Sequence, residues 1–387
     1  MPRLTKLAHA GASLSAFALL ALLTGPGRAQ EHRDYGYVLT RFAPAFLRGD
    51  EKVDCPEGRS PTLREAFLAT QTATERARLL KPENAIELER RYKTDYVFGA
   101  DGKDICTAAA AFDTPERPLQ KTAQSRVAPG MNLDGAVDDA HPAPGTCAHK
   151  KFAGPSGEAG VDNQFYRAVA CNTFWRGALG GGQGDALGES PLVNGSAVMI
   201  IRGVQSWENS PHVEVVIAGS PDKAPTDVRQ KIVDGGSLSM SDNPRWRTVL
   251  SGHIEHGVLI TAAADLRLPD NWIGSSAGEF IMRRTRLRLK LQPNGEIAGE
   301  AGGYRPFDNV LGTLEVGGPG VASTAGVDCA SVRKTLRLLA DGDPDPRTGV
   351  CTTVSMAIDL QAKPAFIFDH GVLAGAPNGG GTTLARK

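Results

Sequence analysis

The sequence holds little that would name a chemistry. Its 387 residues carry no net charge, 43 basic side chains balancing 43 acidic ones. That balance excludes a nucleic-acid binder driven by bulk positive charge, and it excludes a disordered acidic chain. No Cys-x-x-Cys occurs, which removes the usual thiol-redox and zinc-ribbon readings. No internal repeat of about 20–50 residues and no coiled-coil heptad is present. Beyond the first thirty residues no segment is long and apolar enough to span a bilayer. The one glycine-rich run, Gly177 to Gly188, lacks the Gly-Lys-Ser/Thr ending of a phosphate loop, and an Asp replaces the last Gly of a dinucleotide fingerprint. It reads as a loop.

What is present speaks first of compartment. Arg3 and Lys6 precede an apolar stretch from Ala10 to Leu23, and Gly27-Arg28-Ala29 ends in a small residue. This is the pattern of a secretory signal peptide cleaved after Ala29, so residues 1–29 are set apart from the fold. Removing Arg3, Lys6 and Arg28 leaves 40 basic residues against 43 acidic. All six cysteines (Cys55, Cys106, Cys147, Cys171, Cys329, Cys351) follow that point, and an even number in an exported chain reads as disulfides. Sequence does not select among the pairings; proximity favours Cys55–Cys106, Cys147–Cys171 and Cys329–Cys351. The expected location is periplasmic or secreted.

Residues 30–128 read as a helical and irregular segment. Ser60 can cap a helix with Pro61 at its first position, and Leu63, Ala66, Phe67, Thr70, Ala73, Ala77 and Leu80 recur at a helical period until Pro82 stops it. A second helix is expected from Asn84, with Glu87 as its capping-box partner. From Ser196 the period changes to two. Ser196–Val204, His212–Ala218, Arg247–Ile254, Val258–Ala263, Glu279–Gln292, Glu296–Tyr304 and Thr352–Leu360 read as strands. Asp328 can cap a helix over 328–340, closed by Gly342. The expected fold is mainly β, α+β overall. It is an antiparallel β-sandwich of jelly-roll type over residues 129–387, with a small helical N-terminal segment and one C-terminal helix.

The hairpin from Arg284 to Tyr304 can be registered. A three-residue loop, with Pro293 and Asn294 in a type I turn and Gly295 left-handed, sets Leu291 against Ile297, Leu287 against Ala301 and Arg288 against Glu300. Arg284, Arg286, Arg288 and Lys290 then share one face, with Tyr304 opposite Arg284. The row reads either as a solvated outer face or as a site for an anionic ligand such as a uronate glycan.

Other constellations also admit more than one reading. Asn132, Asp134 and Asp138 in one loop, and Asp341, Asp343 and Asp345 in another, place oxygens as calcium would need them. Neither loop is an EF-hand, and the same residues make plain turns. Cys147 and His149 could share a metal, were Cys147 not bridged. Gly274-Ser275-Ser276-Ala277-Gly278 matches a nucleophile elbow, but a strand pattern follows it, so Ser276 reads as a turn serine. On a strand His253 and His256 point to opposite sides and cannot hold one ion. Asp162 to Tyr166 gathers amides beside aromatics, as a helix cap or as a sugar contact.

Glu300-Ala-Gly-Gly303-Tyr304, with the basic strand before it, is similar to a strand end of jelly-roll polysaccharide lyases, over these few residues. The resemblance implies Arg286 and Arg288 as a carboxylate clamp, Tyr304 as proton donor and His253 as base. The functional expectation is an exported protein that binds a glycan or other anionic envelope ligand without catalysis. The alternatives are a polysaccharide-degrading enzyme, lyase or hydrolase, and a calcium-stabilised structural module. Expected partners are a glycan or anion, without nucleic acid and without a membrane span once the signal is cleaved; no cofactor is expected beyond calcium.

Overall fold

The computed structural model describes residues 33–47, 51–99, 101–115, 117–176, 196–269, 279–310 and 327–370. The signal segment, the Gly177–Gly188 run and the Gly274–Gly278 motif lie outside these described residues. Among the described residues eleven strands form: β1 (Arg33–Pro44), β2 (Ser196–Val204), β3 (Asn209–Ser220), β4 (Gly236–Ser239), β5 (Arg247–Glu255), β6 (Val258–Thr261), β7 (Ala264–Pro269), β8 (Glu279–Leu291), β9 (Ile297–Pro306), β10 (Gly342–Pro344) and β11 (Cys351–Phe368).

The fold is a closed barrel and not a jelly-roll sandwich. Strands pair antiparallel in the order β1-β2-β3-β5-β6-β8-β9-β11, and β11 pairs back onto β1 from Tyr37↔Pro364 to Pro44↔Ile358, closing eight strands. β4, β7 and β10 are additions outside the ring. Alternation along each strand is common to sandwich and barrel; the closing β1–β11 contact distinguishes them, and β1 comes from the stretch read as helical. Its burial does not alternate cleanly, because a bulge lies between Leu39 and Arg41 and part of its outer face is covered.

Eight strands leave an interior just wide enough to be filled by side chains. Leu39, Met199, Ile201, Val215, Leu250, Leu259, Leu287, Leu289 and Met356 fill it, each at most 3% exposed. Among the described residues the helices are α1 (Glu51–Asp54), α2 (Leu63–Thr70), α3 (Ala73–Leu79), α4 (Ala85–Tyr92), α5 (Gln164–Val169), α6 (Thr173–Arg176) and α7 (Cys329–Leu338), and the same core continues into α2, α3, α4 and α7 through Leu63, Phe67, Leu79, Leu88 and Leu336. A second layer, with Ile232, Leu238 and Met240, covers Val38, Val198 and Val216 on the outside. No helix among the described residues is long and apolar enough to cross a membrane.

Local signals were followed in part. The helix expected from Pro61 to Pro82 is split in two. Thr62 caps α2 in a capping box with Glu65, Gln71 is extended, and Thr72 caps α3, so Leu79 is buried instead of Leu80. Asn84 precedes α4 but makes no side-chain cap; its amide reaches the Arg78 carbonyl. Asp328 caps α7 through the Ser331 amide, while Gly342 belongs to β10. The β8–β9 turn is the expected one: Gln292 and Glu296 pair, and Gly295 is left-handed at φ +84°. A bulge between Arg283 and Arg286 puts Arg283, not Arg284, opposite Tyr304.

The disulfides join distant segments: Cys55–Cys171, Cys106–Cys329 and Cys147–Cys351. None of the three pairings favoured by proximity forms, because loop length says nothing of where a fold brings cysteines. Three bridges accord with an oxidising compartment outside the cytosol. Leu287→Ala, which deletes a fully buried interior side chain, should cost about 3 kcal/mol of stability; urea unfolding followed by circular dichroism measures it.

Candidate functional site

A polar cluster lies outside the barrel wall, where the loop from Gly130 to Asp162 crosses β9, β10 and β11. Several local devices place it. Gly160 is left-handed at φ +76°, and a Cβ there would sit 2.3 Å from the Ala136 carbonyl oxygen, so the loop closes on itself only with glycine. Cys147–Cys351 and the Thr146↔Gly342 bridge pin the loop to the sheet. His149 and Lys151, two apart on an extended stretch, both reach the acids; their side chains are each 6% exposed.

Lys151 Nζ lies 2.7 Å from Asp134 and 2.5 Å from Asp162. His149 Nε2 lies 2.7 Å from the same Asp162 oxygen and 3.5 Å from Asp341. The second Asp162 oxygen accepts from the Leu133 and Asp134 amides. Asp341 accepts from the Ser355 amide at 2.6 Å, while its other oxygen has no hydrogen-bond partner among the described residues. The buried Tyr304 and Thr353 hydroxyls lack one too, and a Cβ on Gly342 would strike both side chains.

The protonation of His149 follows from geometry. Nδ1 faces the Cys147 carbonyl at 2.7 Å and Nε2 faces Asp162, so both ring nitrogens meet acceptors and both must donate. Burial opposes that charge, but Asp162, Asp341 and the carbonyl outweigh it and raise the pKa. Burial likewise opposes the charges of Lys151 and Asp162; their bonds to one another and to Asp134 and His149 prevail, raising Lys151 and lowering Asp162. Burial pushes Asp341 up to about 6, against the pull of His149 and the Ser355 contacts. Tyr304 is driven far up, by burial first and then by the fields of Asp162, Asp341 and Asp134.

Asp134, His149 and Asp162 have the donor atoms and the proximity of a metal site. A metal would need a deprotonated imidazole nitrogen, whereas both nitrogens here donate inward. Lys151 already supplies a cation between two of the carboxylates. The arrangement locks the covering loop onto the sheet, and it leaves His149 no lone pair facing solvent for acid–base work.

The residues singled out in the sequence separate into groups. Asp134 and Asp341, from the two acidic loops, meet in this cluster. Asn132 and Asp138 instead bond backbone amides of their own turn, as does Asp345, and Asp343 pairs with Arg283 and Arg284. In the basic row Arg284 lies over the Tyr304 ring at 4.0 Å, and Arg288 pairs with Glu158 and Glu300. Arg286 and Lys290 form no ion pair among the described residues. His253 sits on β5 and His256 in the β5–β6 turn at φ +49°. Two strands stand between His253 and Tyr304, a span of roughly 14 Å at ~4.8 Å per strand, so the pair implied by the lyase resemblance does not meet. Tyr304 is in any case 1% exposed beneath Met131 and Leu133.

Lys151 and the role of Asp162 were not foreseen. Asn163, not Asp162, caps the short helix α5 (Gln164–Val169). The only sequence sign was the His149-x-Lys151 alternation, which has no meaning until the fold supplies the acids. No protein-family model, no curated protein and no solved structure matches this chain.

The cluster sets a pH dependence. His149 and Asp341 both have folded pKa values above their ordinary ones, so each contributes stability that is present at low pH and lost as pH rises through its folded value. Asp162 is depressed and acts the other way, below about pH 4. Stability should therefore peak near pH 4, fall between about pH 4 and 6 as Asp341 ionises, and fall again above about pH 6.5 as His149 loses its proton. Asp341→Asn should flatten the part of that slope below pH 6; chemical unfolding across a pH series reads both outcomes.

Proposed function

We propose that the chain is an exported binding protein for an anionic glycan, which it holds on the outer face of the barrel without chemical conversion. The observation that carries this reading is the state of the β8 row. Four cationic side chains follow one another on one strand, and two of them, Arg286 and Lys290, have no counter-ion among the described residues. Lys290 is exposed, and Arg286 is half-buried opposite Gly302, over which the apolar side chains of Met131 and Leu133 pack. Arg284 and Arg288, held by Asp343, Glu158 and Glu300, alternate with the two along the strand.

The filled interior supports a ligand site on the outside. The inward-facing protons of His149 and Lys151 support binding over catalysis. The three disulfides suit work in the periplasm or beyond it.

Calorimetric titration with a uronate oligosaccharide should show binding that weakens as salt is raised, since exposed cations are screened. The Arg286→Ala, Lys290→Ala double variant should bind about tenfold more weakly. Equal affinity in variant and parent, or affinity unchanged by salt, would remove the β8 row from the reading.

A further inference from the structure

A second cationic site lies on the far side of His149, away from the acids that hold it. A pocket of about 280 Å³ opens there between the covering loop and the end of α7. Its lining includes Lys150, Arg167 and His149 on the cationic side, Gln124 and Gln164 as neutral polar groups, and Leu339 in an aliphatic wall. Among the described residues no acidic side chain lines it.

Arg167 is the unusual member. Its guanidinium carbon lies 4.0 Å from the centroid of the Phe152 ring. It donates to Gln164 Oε1 and to the carbonyls of Ala123 and Lys150, at 3.1, 3.3 and 3.2 Å. These are three of its five donors, and every acceptor is neutral. No carboxylate comes within ion-pair distance of it among the described residues. Asp139 is the one acid whose field reaches it, and that side chain is exposed and bonded to the Lys151 amide. Desolvation lowers the pKa of Arg167, the sign of a charge held without compensation. Lys150 beside it is exposed, and its ammonium has no partner among the described residues.

A partly buried guanidinium, fixed in orientation with donors unspent, is suited to a planar or tetrahedral anion. The volume is below that of drug-sized pockets, which restricts the occupant to a small molecule. The aliphatic wall favours an organic anion over an inorganic one.

We propose that this pocket binds a small organic anion presenting one carboxylate or one phosphate, with Arg167 as the fixed contact and Lys150 as the mobile one. The site is separate from the β8 row, so each can fail without the other.

Titration calorimetry of the whole mature protein at low salt tests it, with glucuronate and glycerol phosphate as probes and glucose as the uncharged control. Binding of at least one anion, and none of glucose, is expected; the two probes distinguish carboxylate from phosphate. Lys150→Glu, on an exposed side chain, should weaken that binding at least about tenfold. Arg167→Gln should do the same, and if it fails to fold, Lys150→Glu still decides. Small-anion binding that persists in the Arg286→Ala, Lys290→Ala variant and is lost in Lys150→Glu belongs to this pocket and not to the β8 row. No binding by either anion, binding undiminished by Lys150→Glu, or loss in the β8 variant alone would overturn the proposal.

Discussion

Closure of the barrel depends on one antiparallel contact between strands some three hundred residues apart, β1 and β11. Without it β1 and β11 would each expose a row of unpaired amides and carbonyls, and the interior side chains would have no far wall to meet. With it the apolar faces of eight strands converge on one axis, and helices α2, α3, α4 and α7 extend the same core. Contacts of such long sequence separation cost loop entropy, so the covalent bridges that shorten those loops belong to the same solution.

Outside the wall the stabilising principle changes from apolar burial to paired charge. Three carboxylates, Asp134, Asp162 and Asp341, face two cations, His149 and Lys151, in a nearly dry space. Buried charges repay their desolvation only when geometry is good and every member is bonded. Asp162 meets that condition, with four contacts shared by its two oxygens. Asp341 does not, and its raised pKa is the result: taking up a proton there brings the cluster to two charges of each sign.

What could be read from the sequence was local, and what could not was global. Period-two patterning placed β2, β5, β6, β8 and β9 to within two residues at each end and β3 to within three, since alternation is a property of the strand itself. The β8–β9 register followed from matching apolar with apolar and Arg288 with Glu300. Closure was illegible because β1, bulged and covered on both sides, has no clean alternation. The bulge at Arg284 was missed for a similar reason: a positive φ on an arginine leaves no compositional mark. The cluster around His149 draws on positions 134, 149, 151, 162 and 341, and only the folded chain makes neighbours of them. The two acidic loops did carry half of it, though as turn formers and ion partners.

The order of the bridges along the chain has a consequence for biogenesis. Numbering the cysteines from the N-terminus, the first joins the fourth, the second the fifth and the third the sixth. Every bridge interleaves with the others, and no two consecutive thiols are partners. A polypeptide threaded outward from its N-terminus offers Cys55 and Cys106 to an oxidase before either correct partner has emerged. An export pathway that couples thiols as they arrive would scramble this protein, which makes an isomerase, or oxidation withheld until the chain has collapsed, part of the machinery the fold requires.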